Sequence, residues 1–128
     1  MKPVIYIVDD DYSVRRAMKR LIRSAGMEVR TFASAQEFLD FKSVNLNACI
    51  IVDIKLQGMS GLELYDEVRA RGSDLPVIFI TGFDSPETRD QAKKSGASGY
   101  FRKPIDDQAL LDSIHWALTK QSSKKGIE

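Results

Sequence analysis

Val4-Ile5-Tyr6-Ile7-Val8-Asp9-Asp10-Asp11 decides the fold. Five consecutive apolar residues without alternation read as a strand buried on both faces, and such strands belong to parallel sheets covered by helices. The run stops at three carboxylates. Directly after them, Val14, Ala17, Met18, Leu21, Ile22 and Ala25 recur at helical spacing, and Gly26 supplies a C-terminal stop. Buried strand, acidic end and amphipathic helix together make one βα unit.

The same unit recurs along the chain. Glu28–Phe32 reads as a second strand, and Ser34-Ala35-Gln36-Glu37 has the capping-box spacing that opens a helix carrying Phe38, Leu39 and Phe41. Ala48–Val52 is a third strand ending at Asp53, followed by a second capping box, Ser60-Gly61-Leu62-Glu63, whose helix runs to about Arg71. Pro76–Ile80 is a fourth, with Thr81-Gly82 at its end. Ser85-Pro86 then offers an N-cap and first helical residue, and Gly96 closes that helix. Ser98–Arg102 is a fifth strand ending at Lys103-Pro104, and the last helix places Leu110, Leu111, Ile114, Ala117 and Leu118 on one face. Residues 1–120 read as one domain, and the polar stretch 121–128 as a tail or the start of a linker. Five βα units predict a parallel sheet with helices on both faces. A single flavodoxin-like, doubly wound (βα)5 domain with strand order 2-1-3-4-5 completes the expectation. Periodicity supplies the alternation, while the order is a fold-level assumption.

Composition narrows the function. The 128 residues are 43% hydrophobic and 29% charged, ordinary for one globular domain. Lysine and arginine number 19 against 18 acids, a net charge of +1 that predicts no general attraction to nucleic acid or to an anionic membrane. Apolar runs are too short to span a bilayer, and Met1-Lys2-Pro3 enters the first strand too soon to leave room for a signal peptide. The lone Cys49, set in an apolar stretch, reads as a small buried hydrophobe and fits a reducing cytoplasm.

The chemistry lies at the strand ends. Asp9 and Asp10, Asp53, Thr81 and Lys103 follow the first, third, fourth and fifth strands, and open α/β sheets bind ligands beyond those carboxyl ends. In the assumed order the first and third strands are neighbours, which brings the acids together. Three carboxylates in one crevice repel unless a cation sits among them, and a small set of hard oxygen ligands open to water suits Mg²⁺. A carboxylate such as Asp53 can attack a phosphoryl group to give an acyl phosphate. Lys103 adds positive charge, and Thr81 a hydroxyl donor. Taken singly each residue is commonplace: Asp11 alone suits turn or N-cap chemistry, Thr81-Gly82 a turn. As a set at these positions they point to phosphoryl chemistry.

That set resembles the receiver domain of two-component response regulators over about Pro3 to Lys120. Val8-Asp9-Asp10-Asp11 looks like the family's acidic cluster, and Asp53-Ile54-Lys55-Leu56-Gln57-Gly58-Met59-Ser60-Gly61 like its phosphorylation loop. Ile80-Thr81-Gly82 and Tyr100-Phe101-Arg102-Lys103-Pro104 are similar to its last two segments. The resemblance implies that Asp53 is the phosphoacceptor. It implies that Asp10, Asp53 and the Lys55 backbone carbonyl ligate Mg²⁺, with Asp9 assisting through water. Thr81 and Lys103 would hold the phosphoryl oxygens, Thr81 and Tyr100 would form the switch, and the Lys103–Pro104 bond would be cis, as is usual in the family. Phosphorylation would change the face made by the fourth helix, fifth strand and fifth helix. The donor would be a sensor histidine kinase or histidine phosphotransfer protein, meeting the chain near Arg15, Arg16, Lys19, Arg20 and Arg23 of the first helix. An effector domain or target protein would read the change, and homodimerisation could accompany it.

The match has departures. Leu56-Gln57 stands where many members carry Met-Pro, and Phe83, beside the phosphoryl site, cannot orient an attacking water. Two readings are less well supported. An aspartate-nucleophile phosphatase would need a second Asp at Lys55, and a flavin mononucleotide binder would need a hydroxyl-rich loop where three acids stand. A phosphorylation-independent interaction module stays as the alternative function. No effector segment follows Lys120, so the chain reads as a single-domain regulator or as a receiver from a longer protein. His115 and Trp116 read as structural or exposed.

Overall fold

The computed structural model describes residues 2–42 and 47–126, with side chains up to Lys120. Ten elements alternate: β1 (Val4–Val8), α1 (Tyr12–Ser24), β2 (Glu28–Phe32), α2 (Ala35–Asp40), β3 (Ala48–Asp53), α3 (Gly61–Ala70), β4 (Val77–Thr81), α4 (Pro86–Lys94), β5 (Gly99–Arg102) and α5 (Asp107–Gly126). The strands form one parallel sheet in the order β2-β1-β3-β4-β5, the doubly wound arrangement expected. In the register of this sheet Val8 pairs with Val52, and Asp53 with Ile80. The acidic ends of β1 and β3 are therefore level.

Because β1, β3 and β4 are buried along their whole length, their side chains feed two cores. Tyr6, Val8, Ile50, Val52 and Phe79 pack with α2 and α3 on one face, while Ile5, Ile7, Ile51, Ile78 and Ile80 pack with α1 and α5 on the other. Each helix start has a local cause. Asp11 is the N-cap of α1, accepting hydrogen bonds from the Ser13 and Val14 amides. Ser60 and Glu63 make the full reciprocal box that opens α3. At α2 only half of the box forms: Ser34 accepts from the Glu37 amide, but Glu37 reaches the Ala33 amide instead of the cap's own.

Two boundaries differ from the sequence reading. Phe41 is not in α2; the helix stops at Asp40, and Phe41 turns to extended backbone as its C-cap. Its ring then joins Tyr6 and Phe32 at centroid distances of 5.8 and 5.3 Å, so aromatic packing overrides helical spacing. The backbone of α5 stays helical through Gly126, into the stretch read as a polar tail, and Ile127 and Glu128 lie outside the described residues. Among the described residues, no helix is long and apolar enough to cross a membrane.

Candidate functional site

All the polar strand-end residues meet at one edge of the sheet. Asp9 follows β1 and is fully buried, held there by its amide donating to the Phe32 carbonyl of β2. Asp53 is the last residue of β3 and Thr81 the last of β4; both are buried. Lys103 follows β5, fixed by its amide donating to the Thr81 carbonyl at 2.7 Å, and its peptide bond to Pro104 is cis. Asp9, Asp10 and Asp53 each offer an oxygen within 4.8 Å of the others, a set able to hold a metal ion.

Lys103 bridges the two buried acids. Its Nζ donates to Asp53 Oδ2 at 2.9 Å and stands 2.9 Å from Asp9 Oδ2. The second contact is an ion pair without hydrogen-bond alignment, so Asp9 Oδ2 is a buried oxygen lacking a hydrogen-bond partner. The remaining oxygens are held by backbone: Asp9 Oδ1 by the Asp11 amide at 2.9 Å, Asp53 Oδ1 by the Lys55 amide at 3.0 Å. Burial pushes the Asp9 carboxyl above its ordinary range, and the facing Asp53 adds to this, against the Asp11 amide and Lys103. Burial works against the Lys103 charge, yet the contacts from Asp53 and Asp9 outweigh it and hold its pKa above the usual lysine value. Three clustered carboxylates share the one Lys103 ammonium, and Asp9 Oδ2 has only that ion pair, so the cluster is short of positive charge. The donor set therefore fits a hard divalent cation.

Around this centre the loops place the remaining candidates. Thr81 Oγ1 accepts from the Phe83 amide at 3.0 Å, leaving the hydroxyl proton free to point elsewhere. Lys55 is exposed with its ammonium 4.2 Å from the centroid of the Phe83 ring, itself 68% exposed, so the two side chains lean on one another beside the cluster. Tyr100 lies half-buried on β5, paired in register with Phe79, and its hydroxyl donates to Asp84 at 2.8 Å. One contact escaped the sequence reading. Arg15, grouped there with the polar side of α1, donates from Nη1 to the Asp9 carbonyl at 2.7 Å and so ties that helix to the acidic strand end. Only its place one helical turn past the acids hinted at this.

The doubly wound sheet thus gathers two buried aspartates, a lysine and a buried threonine hydroxyl at the carboxyl ends of its strands. A family model described as "Response regulator receiver domain" matches residues 5–115, and the chain belongs to that family. Among curated proteins it is 37% identical over 124 residues to "Nodulation protein W" of Bradyrhizobium diazoefficiens, covering 97% of this chain and 54% of that protein. It is 38% identical to "Transcriptional regulatory protein TdiR" of Thauera aromatica, covering 89% of this chain and 50% of that one. The chain thus spans about half the length of these relatives. Among solved structures, the response regulator StyR superposes with a TM-score of 0.90 at 37% identity, covering 99% of this chain and 64% of the other. A CheY-like receiver domain protein from Methanospirillum hungatei JF-1 gives 0.87 at 30% identity, covering 97% and 99%. The chain is a signalling domain rather than a classical enzyme.

Proposed function

We propose that the chain is a phosphoacceptor switch in which Asp53 takes a phosphoryl group from a sensor histidine kinase or a histidine phosphotransfer protein. The supporting observation is the placement of Asp53: buried at a strand end, bound by Lys103 through one oxygen and facing two further acids. In the reaction an Asp53 oxygen attacks phosphorus, the bond from phosphorus to the donor histidine nitrogen breaks, and the imidazole leaves with its electron pair. Lys103 moves from neutralising Asp53 to neutralising the phosphoryl oxygens. The Thr81 hydroxyl donates to one of those oxygens, and Tyr100 answers the shift of Thr81. Mg²⁺, for which Asp10, Asp53, the Lys55 carbonyl and (through water) Asp9 are the candidate ligands, supplies when bound the charge that lets one anion approach another.

Donor docking is supported by α1. Beside Lys103 lies a cavity of about 430 Å³ whose apolar lining includes Val14, Ala17, Leu21, Pro104 and Ile105. Arg16 and Arg20 are exposed on the same helix, which suits a partner helix carrying acids around an exposed histidine. Phosphotransfer should weaken with salt and on charge reversal at Arg16 or Lys19. A cytoplasmic site of action and an effector domain or target protein that reads the change complete this reading.

Incubation with acetyl phosphate and Mg²⁺ is expected to add the mass of one phosphate to the wild type and none to Asp53→Ala or to wild type in EDTA. Intact-mass spectrometry measures this. A wild type that never gains the mass, with the fold intact, leaves the phosphorylation-independent interaction module as the function.

Phe83 and Lys55 set a further expectation. An apolar ring with an ammonium resting on it offers no acceptor to orient a hydrolytic water, so the acyl phosphate should be long-lived. Phe83→Glu is expected to speed phosphate loss by about tenfold, below the contribution of a dedicated general base. Decay of the phosphorylated mass over time measures it; equal decay in both proteins counts against the idea.

A further inference from the structure

We propose that Asp84 and Arg89 form a latch holding Tyr100 in its resting position, so that switching must break this contact as well as move Thr81. The inference rests on the switch role given to Tyr100 above, and names what opposes that switch.

The three side chains close a triangle. Tyr100 Oη donates to Asp84 Oδ1 at 2.8 Å, and Arg89 Nη2 donates to Asp84 Oδ2 at 2.6 Å. The Arg89 guanidinium carbon lies 5.3 Å from the centroid of the Tyr100 ring, so each member touches the other two. Each comes from a different part of the fold: Asp84 from the loop after β4, Arg89 from the first half of α4, Tyr100 from β5. The carboxylate is held below the ordinary range, first by Arg89 and then by Tyr100, with Arg102 adding a weaker attraction, and so stays ionised as an acceptor.

The sheet shows what the latch opposes. Tyr100 is in register with Phe79, and strand alternation puts Thr81 on the same face two residues further along β4. The room that a moving Thr81 would vacate is therefore on the Tyr100 side. Thr81 also accepts from the Phe83 amide, next to Asp84, so its displacement pulls on the segment that carries the latch. One motion then both opens space for Tyr100 and disturbs the acceptor that keeps it away from that space.

By linkage, a contact made only in the resting position of Tyr100 lowers affinity for anything that favours the switched one. Two measurements test this on the intact chain. In the protein without ligand, Asp84→Ala and Arg89→Ala should each redistribute the χ1 rotamer of Tyr100, read from three-bond couplings after selective tyrosine labelling; an unchanged rotamer in both variants overturns the latch. With Mg²⁺ and beryllium trifluoride as the phosphoryl mimic, Asp84→Ala should bind roughly three- to tenfold tighter than wild type, the span of one partly exposed hydrogen bond. In a Tyr100→Phe background the same substitution should leave affinity unchanged. A full gain in that background means Asp84 acts by another route and also overturns the proposal. Should the wild type bind no beryllium trifluoride, the reading of Asp53 falls, and the rotamer measurement still decides the latch.

Discussion

With Lys103 replaced by methionine, the chain is expected to lose about 3 kcal/mol of stability near neutral pH in EDTA and to regain part of it as the pH is lowered toward the unfolded Asp9 value of 3.8. Lys103 is the cation between two buried carboxylates, and Asp9 Oδ2 has no hydrogen bond to fall back on. Removing one partner of a buried pair typically costs about 3–5 kcal/mol, and the lower figure applies because the Lys103 side chain keeps 23% of its exposure. The sign with pH comes from Asp9. Its folded carboxyl sits above the unfolded value of 3.8, so its contribution is fully present below 3.8 and is lost as pH rises through the folded value. Without Lys103 that folded value climbs further, and acidification relieves the variant more than the wild type. Lys103, raised above 10.5, contributes below that value and loses its contribution only in the alkaline range. Urea unfolding at neutral and at acid pH measures the effect, with slopes compared to confirm that only the midpoint moves. Equal midpoint losses at neutral and acid pH would show that Lys103 does not compensate buried charge. Added Mg²⁺ should restore part of the loss through binding to the folded state alone.

Gly61→Ala is the second large effect, at about 3 kcal/mol or more, the top of the range for forced overpacking. A Cβ there would stand 2.4 Å from the Asp53 carbonyl oxygen, 2.8 Å from Val52 Cγ1 and 2.9 Å from Ile54 Cα, two of them backbone atoms that cannot rotate away. The start of α3 would have to retreat from the end of β3, and Asp53 would move with it. Gly99→Ala makes the comparison sharp. Its new Cβ would meet Ser113 Oγ at 2.4 Å, the tip of a side chain, so removing that hydroxyl in Ser113→Ala should recover much of the cost. Urea midpoints of the four proteins decide it; a mild Gly61→Ala would mean that the β3–α3 junction gives more than its contacts suggest.

Much of this was legible where local chemistry decides structure. The unbroken run Val4–Val8 gave its strand to the residue, and Asp11 and Ser60 cap the helices their neighbours predicted. The fold order was harder, because periodicity states that strands alternate with helices but not which strand lies beside which. It is the pairing of β1 with β3 that brings Asp9 level with Asp53, and sequence alone offered that order as an assumption. α4 shows the limit from the other side: Ala92 is its one buried residue, so its extent was readable from Ser85-Pro86 and Gly96, not from an apolar stripe. Contacts distant in sequence were legible only where residue type hinted at them. Tyr100 and Asp84 are 16 residues apart, and Lys103 and Asp53 are 50 apart. Residue types predicted that Lys103 and Asp53 would cooperate; nothing predicted Asp84.

The chain's single tryptophan, Trp116, stands 61% exposed on α5. An indole in water emits at longer wavelength than one under protein, and small collisional quenchers reach it freely. Any protein that settles over that helix would shift its colour toward the blue and shield it from iodide, so association at this face carries its own unlabelled optical signal.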